Sequence, residues 1–373
     1  MTNTLIIGAS AAGLASAACL KKENVDYILL ERHGQVAHSW RNHYDRLHLH
    51  TCKSVSNLPF VKFEEAIPKY PSRQDVVNYF DNYVNEMGLQ PIFNSEIKSV
   101  KKIGEHWQTI TEDGKSYLSK HIIMATGSTS TPKRVTFPGL ETFPGSIIHS
   151  SQFKNGAPYK NKKVLVVGFG NSGCEQSICL HEHGAFPALS VRSAVNVLPR
   201  DLMGIPILKL GLLSAALPPR IADKINGPLM NLVVGDITKV GLKKSKYGPL
   251  EQIQKEGRIP LLDIGTMKLL KEGKKKAYGN ISSIQGKEIT FEDGQKQDFD
   301  AIILATGYLN NLEKFLPENR DRITDLNSKI TRQANFGKDG LYFCGFFISP
   351  TGMLREIGIE AKAIARDISM KKK

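Results

Sequence analysis

LIIGASAAG at residues 5–13 and VLVVGFGNSG at residues 164–173 carry one pattern twice: a short apolar run, a glycine turn, and the start of a segment with helical apolar spacing. In a strand–turn–helix unit of this kind, the N-terminus of the helix meets a pyrophosphate. Glycine is needed because the chain turns sharply and a Cβ would hold the phosphate away from the backbone amides. Two such turns predict two bound dinucleotides in one chain, an arrangement that serves electron transfer between them.

The first turn opens a complete βαβ unit that ends at Glu31, 23 positions after Gly8. At this distance an acidic side chain can accept the two hydroxyls of an adenosine ribose, and we predict FAD at this site. Ser10 stands where a second glycine is usual, so its side chain must point away from the pyrophosphate or donate a hydrogen bond to it. The residues of this unit predicted to bind the cofactor are Gly8, Ser10, Ala12, Gly13 and Glu31.

The second turn is followed by Arg192, 24 positions after Gly168, at the place where an acidic residue would select NAD. An arginine there can clamp the 2′-phosphate of NADPH, and Arg200 can assist it. We therefore predict NADPH at the second site; the alternative is that Arg192 is an ordinary surface residue. The predicted cofactor-binding residues of this unit are Gly168, Gly170, Asn171, Ser172, Gly173, Arg192, Ser193 and Arg200.

An apolar strand that ends in Ala-Thr-Gly occurs twice, at 121–127 and 301–307, and the two copies bracket the second glycine turn. We infer that the second dinucleotide domain is inserted into the first. The predicted fold class is α/β with two Rossmann-like dinucleotide-binding domains: an FAD-binding domain of residues 1–155 and 300–373, and an NADPH-binding domain of residues 156–299. A mainly helical segment around 202–270 is either a substrate cover or an extra helical layer. The strand ends add Thr126, Gly127, Ala305, Thr306 and Gly307 to the predicted cofactor-binding residues.

The composition of the 373 residues, 41% hydrophobic and 23% charged, is typical of a soluble globular protein. We attribute the formal charge of +14 to a lysine-rich surface and to a basic cleft for two anionic dinucleotides; no motif of a nucleic-acid reader is present. Five scattered cysteines and the lack of an apolar run of membrane-spanning length favour a cytoplasmic protein. No cysteine–histidine set has the spacing of a metal site. The sequence leaves two possibilities undecided: peripheral contact with a membrane and assembly into a homodimer.

Residues 143–153, FPGSIIHSSQF, fit the pattern F-x-G-x-x-x-H-x-x-x-[FY]. Phe143, Gly145, His149 and Phe153 occupy its four fixed positions. This pattern is the fingerprint of flavin-dependent N-hydroxylating and related class B monooxygenases. The alternative is a domain linker in which a Phe and a His pack incidentally.

With this motif, nearly the whole chain resembles the flavin-containing monooxygenase family, and within it the plant YUCCA-type indole-3-pyruvate monooxygenases. The matching stretches are residues 29–32, 43–47, 49–50, 163–173, 191–193, 197–200, 248–250, 262–265 and 305–308. The resemblance implies that NADPH reduces FAD, that O2 then forms a C4a-(hydro)peroxyflavin, and that one oxygen atom enters a small organic substrate: a 2-oxo acid or ketone, a sulfide or an amine. It also implies that cofactor is bound by Arg32, Ser39, Trp40, Phe143 and Gly145.

The candidate catalytic residues are His50, Thr51 and His149. Many members of the family place a catalytic asparagine near the flavin, about where His50 and Thr51 fall, whereas YUCCA-type members also have histidine there. The resemblance therefore favours Baeyer–Villiger-like attack on a carbonyl, with a small aromatic 2-oxo acid as substrate. The alternative for His50 is a packing histidine.

Two other functions compete with this one. An FAD- and NADPH-dependent disulfide reductase, or a quinone-type reductase, would use the same two domains without oxygenation. A disulfide reductase needs two cysteines at the flavin, but Cys174 and Cys179 follow the second turn and lie about 140° apart around a helix axis. A nucleotide-sensing binding protein is the non-enzymatic alternative.

Overall fold

The computed structural model describes residues 1–373 apart from 210–216, 320, 322, 324–335, 348, 350 and 373. Its contacts divide the chain into two compact units. The first contains Met1–Asn42, Thr51–Thr131 and Leu309–Lys373, and the second contains His43–His50 and Pro132–Tyr308. These bounds differ from the sequence-based ones at residues 43–50, 132–155 and 300–308, which lie in the second unit. The pairing of strand Ser146–His149 with strand Ala301–Leu304 accounts for much of this difference.

The elements are numbered in chain order. The strands are β1 (Thr2–Ile7), β2 (Tyr27–Leu30), β3 (Pro91–Ile92), β4 (Ile97–Ile103), β5 (His106–Thr111), β6 (Ser116–Met124), β7 (Thr131–Pro132), β8 (Ser146–His149), β9 (Lys163–Val167), β10 (Phe186–Ser190), β11 (Val197–Pro199), β12 (Asp201–Leu202), β13 (Ile205–Pro206), β14 (Leu261–Asp263), β15 (Lys276–Tyr278), β16 (Ile281–Gln285), β17 (Glu288–Phe291), β18 (Lys296–Asp298), β19 (Ala301–Leu304), β20 (Tyr308–Leu309) and β21 (Leu341–Phe343). The helices are α1 (Ala11–Lys22), α2 (His38–Arg41), α3 (Arg73–Met87), α4 (Asn171–Glu182), α5 (Pro219–Val234), α6 (Pro249–Glu256), α7 (Thr266–Lys271), α8 (Leu312–Phe315) and α9 (Met353–Lys372).

A mixed sheet forms the core of the first unit, in the order β3-β2-β1-β6-β5-β4, with β21 paired to β6. β6 joins its two parts, because Ser116–Ser119 pair antiparallel with β5 while His121–Met124 run parallel to β1. The carboxyl ends of β1 and β6 consequently lie side by side, and the N–H of Ala125 donates to the carbonyl of Ile7 over 2.9 Å.

Small side chains allow α1 to pack closely in the first unit. The helix has the sequence AAGLASAACLKK and buries every residue from Ala11 to Leu20. It contacts β2 on one side and α9 on another. A helix that is apolar all round belongs in a core, and its Ala, Gly and Ser residues let neighbouring backbones approach.

A capping box fixes the start of α3. The Ser72 hydroxyl accepts from the N–H of Asp75, and the Asp75 carboxylate accepts from the N–H of Ser72 over 2.8 Å. The helix ends at Gly88, whose φ of +55° favours glycine. Both ends of α3 are therefore encoded locally.

A parallel sheet forms the core of the second unit, in the order β15-β10-β9-β19-β8. The central strands read KVLVV in β9 and AIIL in β19, since both faces of a parallel sheet are covered. One apolar cluster joins β9 and β19 to α4, and a second joins β9 and β10 to the antiparallel strands β16 and β17. The second glycine turn connects β9 to α4.

The segment around 202–270 is only partly helical in its described residues. The short strands β12 and β13 come first and are followed by α5, α6, β14 and α7, and β14 pairs in parallel with β11. Residues 210–216 of this segment lie outside the described residues. Across the described part of the chain, no helix is both long and apolar enough to cross a lipid bilayer.

Candidate cofactor sites and active-site residues

The glycines of the first turn are required by the chain itself. Gly8 has a φ of +104°, and a Cβ added to it would lie 2.7 Å from the carbonyl oxygen of Ala125. A Cβ on Gly13 would lie 1.7 Å from the carbonyl oxygen of Gly8. These approaches bring α1 directly against the end of β1, so that the first amides of the helix face the turn.

The side chain of the N-cap residue does not cap α1. Ser10 is its N-cap residue in an extended conformation, with φ −109°, and its hydroxyl makes no capping hydrogen bond. The first N–H groups of a helix have no partner within the helix, and the helix dipole makes this end attractive to anions. The half-buried Ser10 hydroxyl stands beside these amides, so the turn fits a pyrophosphate although a serine replaces the usual glycine.

Glu31 lies at the end of β2 beside the same turn and is only 8% exposed. Its Oε2 accepts from the N–H of Ala9 over 2.7 Å, and its Oε1 accepts from the N–H of His33 over 3.0 Å. Each carboxylate oxygen has two lone pairs. The backbone bonds therefore hold the carboxylate in place and leave acceptor capacity for the hydroxyls of a ribose.

Three other predicted cofactor-binding residues of the first unit are Ser39 and Trp40, which lie next to this turn, and Arg32, which follows Glu31. The N–H of Ala37, at the start of α2, donates to the carbonyl of Ala9 over 3.0 Å, which places the helix of Ser39 and Trp40 next to the turn. The Trp40 ring packs edge-on against Phe80 with centroids 6.1 Å apart. The exposed Arg32 donates from Nε to the ring of His33 over 3.0 Å.

Thr126 and Gly127 follow the end of β6. The Oγ1 atom of Thr126 is buried and has no hydrogen-bond partner in the described part of the chain. A Cβ on Gly127 would meet nothing within 4 Å, although its φ of +80° favours glycine. Buried polar groups in proteins are normally hydrogen-bonded. The unpaired Thr126 hydroxyl, beside open space at the end of β6, therefore favours a polar ligand at this position.

The second turn repeats the geometry of the first. Gly168 has a φ of +125°, and a Cβ added to it would lie 2.3 Å from the carbonyl oxygen of Ala305. A Cβ on Gly173 would lie 2.6 Å from the carbonyl oxygen of Gly168 and 3.1 Å from the Cβ of Ala305. Gly170 is the N-cap of α4 without a side-chain cap, and its surroundings are open. The turn fits a second pyrophosphate for the same reasons.

Asn171 and Ser172 use their side chains for structure. Asn171 Oδ1 accepts from the N–H of Leu262 over 3.2 Å, which ties β14 to the turn. The Ser172 hydroxyl is hydrogen-bonded to the Tyr44 hydroxyl. At these two positions the backbone amides are the groups left for a phosphate.

The fingerprint residues lie in the second unit. Phe143 is buried in the apolar cluster of β9 and β10, and a Cβ on Gly145 would lie 2.2 Å from the carbonyl oxygen of Asp300. Phe153 is fully buried and stacks on Tyr159. These residues hold β8 against β19.

His149 is buried at the end of β8, with both ring nitrogens engaged. Its Nδ1 accepts from the N–H of Ser151 over 3.1 Å, so the proton resides on Nε2, which donates to the carbonyl of Gly307 over 3.1 Å. Burial lowers the pKa of His149, which favours this neutral form. The side chain thereby fixes the backbone of the second Ala-Thr-Gly end.

Thr306 and Ala305 complete that end. The Thr306 hydroxyl donates to the carbonyl of Lys133, and the Ala305 methyl group packs toward Gly173. Gly307 is exposed, and its surroundings are open on the side where a Cβ would lie. The end of β19 therefore borders the second glycine turn.

Comparison with known proteins identifies the family. Residues 5–197 match the family described as pyridine nucleotide-disulphide oxidoreductase. The probable indole-3-pyruvate monooxygenase YUCCA1 of Arabidopsis thaliana is 39% identical over 349 residues, 92% of this chain and 84% of the relative. The indole-3-pyruvate monooxygenase YUCCA1 of Oryza sativa subsp. japonica is 36% identical over 371 residues, 98% of this chain and 90% of the relative. The chain belongs to the YUCCA-type flavin monooxygenases.

The fold agrees with this family. A flavin-containing monooxygenase from Stenotrophomonas maltophilia superposes with a TM-score of 0.73 over 100% of this chain and 99% of the other, at 18% identity. As a YUCCA-type flavin monooxygenase, the chain is an oxidoreductase that uses FAD and NADPH, as the sequence predicted. The disulfide-reductase alternative has less support, because these two relatives, at 39% and 36% identity, are named monooxygenases.

In this YUCCA-type chain, Arg192 is exposed, two residues beyond β10. No carboxylate lies within ion-pair distance of it in the described part of the chain. Ser193 beside it is half-buried, and Arg200 follows β11 with its Nε 3.4 Å from Asp201 Oδ2. Arg192 thus offers its guanidinium to solvent at the place where a 2′-phosphate is expected.

His50 contacts a buried carboxylate that sequence reasoning missed. Its Nε2 lies 2.5 Å from Oε1 of Glu175, a side chain only 2% exposed, and Arg46 Nη1 lies 4.0 Å from the other carboxylate oxygen. The imidazole and the carboxylate are close but not aligned as a hydrogen bond. A signal was present in the sequence: Glu175 is a charge within a run of α4, Gly173–Leu180, that is otherwise neutral.

Thr51 belongs to the first unit, whereas His50 belongs to the second. The Thr51 hydroxyl shares a hydrogen bond of 2.6 Å with the Ser56 hydroxyl. Its methyl group would lie 2.8 Å from a Cβ added to Gly352. The side chain of Thr51 is therefore packed within its own unit.

Proposed function

We propose that this chain binds FAD at the first glycine turn and NADPH at the second, and that it inserts one oxygen atom of O2 into a small aromatic 2-oxo acid. In this proposal the two units are Rossmann-like dinucleotide-binding domains, and the second is inserted into the first. The observation that carries it is the pair of uncapped helix N-termini, at Ser10 and Gly170, in a chain of this family. Named relatives that act on indole-3-pyruvate support the substrate class.

Three candidate side chains have a defined role in holding the cofactors in this proposal. Glu31 would accept the hydroxyls of the FAD ribose, and the orphaned hydroxyl of Thr126 would gain a partner when FAD is bound. Arg192 would bind the 2′-phosphate of NADPH through a charge-assisted pair. The backbone amides at the start of α1 and α4 would receive the two pyrophosphates.

When bound, FAD supplies the redox chemistry, in which it accepts a hydride from NADPH and activates O2. The protein positions the reactants and excludes water. His149 acts in this scheme as a positioning residue, because both of its nitrogens hold the backbone at Ser151 and Gly307. His50 and Thr51 stay candidate catalytic residues.

The stoichiometry tests the proposal. With a 2-oxo acid, one O2, one NADPH and one proton yield the carboxylic acid shortened by one carbon, CO2, NADP+ and water. We expect indole-3-pyruvate to give this acid with one atom of 18O from 18O2 and about one NADPH consumed per product. Indole-3-lactate, which lacks the ketone, is the matched control. Sulfoxide or N-oxide formation with a panel of sulfides and amines, but no acid from the 2-oxo acid, would contradict the substrate class.

The reductase alternative predicts NADPH consumption without oxygen uptake. The thiols argue against it, because all five cysteines are buried and burial raises the pKa of Cys174 to about 12. A buried protonated thiol is a poor nucleophile for disulfide exchange.

These unpaired cysteines also support our proposal of a cytoplasmic location.

A further inference from the structure

An exposed apolar stripe runs along α5. It consists of Ile221, Ile225, Leu229, Leu232 and Val233, which are 50%, 64%, 46%, 81% and 43% exposed. The first four are spaced by four, four and three positions, so they lie on one face of the helix. Monomeric soluble proteins rarely leave such a contiguous apolar surface in water without a function.

The opposite face of α5 is fixed in place. The Asp223 carboxylate accepts from the N–H of Leu250 over 3.0 Å and from the N–H of Glu251 over 2.9 Å. Asp223 thereby caps α6 at its N-terminus. The contact restrains the rotation of α5 and leaves Ile221, Ile225 and Leu232 on the exposed side, away from Asp223. Val233, at the edge of the stripe, also lines a pocket with Pro199 and Met267.

Basic side chains lie beside the α5 stripe and in the segment that follows the helix. Six exposed lysines and arginines lie on α5 or shortly after it: Arg220, Lys224, Lys239, Lys243, Lys244 and Lys246. Lys244 Nζ donates to Asn231 Oδ1 over 3.0 Å, which brings the basic run alongside the helix. The two acidic residues of this stretch, Asp223 and Asp236, are both occupied as caps.

We propose that the α5 stripe docks on the surface of an anionic lipid membrane. An apolar face flanked by lysine and arginine is the composition of helices that lie in the membrane interface, and the basic side chains match anionic headgroups. A second copy of this chain fits less well, because a two-fold contact through the same face would place these lysines opposite one another. The described chain needs no membrane-spanning helix for this mode of attachment.

Flotation of the FAD-loaded full chain with vesicles tests the proposal. We expect binding to phosphatidylcholine vesicles that contain phosphatidylserine, and weak binding to pure phosphatidylcholine. The double variant Ile225→Asp/Leu232→Asp should reduce binding roughly 100-fold or more, because each buried aliphatic side chain contributes about a factor of ten or more. Phe186→Asp, at a 61% exposed site on β10, is the matched control and should bind as the parent does.

A separate experiment tests the contribution of the basic side chains to vesicle binding. The triple variant Lys243→Gln/Lys244→Gln/Lys246→Gln should weaken binding to the anionic vesicles roughly 100-fold, since each basic residue near the surface is worth about a factor of five. Added salt should reduce binding of the parent chain more than that of this variant. NADPH oxidase activity and FAD content of each variant check that it is folded.

Two results would overturn the proposal. One is equal binding of the parent and the double variant to anionic vesicles. The other is an absence of vesicle binding together with a dimer of the parent, detected by light scattering, that the double variant lacks. The second result would assign the α5 stripe to contact between copies of this chain.

Discussion

Lys275 provides a prediction whose size follows from the structure. It lies between α7 and β15, is 3% exposed, and donates from Nζ to the Ser177 hydroxyl over 2.6 Å. Burial lowers the pKa of Lys275 from 10.5 to about 8, with the partly opposing influence of Cys174 and Asp263. This difference corresponds to about 3 kcal/mol of unfolding free energy.

The sign of the pH dependence follows from linkage. Above pH 10.5 the amine is neutral in both the folded and the unfolded chain, so no penalty arises. As the pH falls from 10.5 to about 8, the unfolded chain takes up a proton that the folded chain does not, and stability decreases. Below about pH 8 the penalty is complete and constant.

Lys275→Met should therefore stabilise the second unit at pH 7. The relieved penalty of about 3 kcal/mol is offset by about 1 kcal/mol for the lost hydrogen bond, which leaves a net gain of about 2 kcal/mol. Near pH 10.5 the gain should disappear or reverse. Lys276→Met, at the exposed neighbouring position, is the matched control and should change stability little at either pH.

The measurement must report on the second unit. Both tryptophans, Trp40 and Trp107, lie in the first unit, so their fluorescence does not suffice. Urea unfolding followed by pulsed hydrogen exchange of peptides from β9 and β10 reports on the sheet beside Lys275. A Lys275→Met variant that is destabilised by the same amount at both pH values would refute the reasoning.

The other predictions concern the two cofactors and one helix cap. Gly13→Ala should abolish FAD retention, because the added Cβ would lie 1.7 Å from the carbonyl oxygen of Gly8. Ala11→Ser is the control. A yellow Gly13→Ala protein with full FAD content would contradict this prediction. Arg192→Ala should raise KM for NADPH roughly 10- to 100-fold and leave KM for NADH nearly unchanged, because a charged contact worth about 1.5–3 kcal/mol is lost. Equal changes of both KM values in steady-state kinetics would contradict the assignment of Arg192 to the 2′-phosphate. Ser72→Ala should lower the stability of the first unit by about 1 kcal/mol in urea unfolding followed by tryptophan fluorescence, and an effect below a few tenths would show that the capping box contributes little.

Local sequence was sufficient for the framework of the sites. A Cβ on Gly13 or Gly173 would meet the carbonyl oxygen of Gly8 or Gly168, five residues earlier, so this constraint is local. Gly8 and Gly168 have positive φ values, and a Cβ on them would also meet the distant carbonyl oxygens of Ala125 and Ala305. The family membership and the cofactors followed from such short motifs. The insertion of one dinucleotide domain into another stays a proposal, although the two copies of Ala-Thr-Gly end β6 and β19 in different units.

Contacts between distant segments were beyond the reach of sequence. Nothing near His50 in the chain indicates Glu175, 125 positions later, because the contact arises from the docking of residues 43–50 on α4. The role of His149 also required coordinates, since its partner Gly307 is 158 positions away. The motif gave the residue but not the hydrogen bonds that occupy it.

The sequence by itself determined that this chain has two glycine turns for dinucleotides, a monooxygenase fingerprint and YUCCA-type relatives. These properties depend on backbone geometry and residue identity within short windows. Only the tertiary structure decided which polar groups are held by partners, which charges are buried, and which apolar residues of α5 stay in water. Burial and long-range pairing depend on how the whole chain packs, and a single position in the sequence does not encode them.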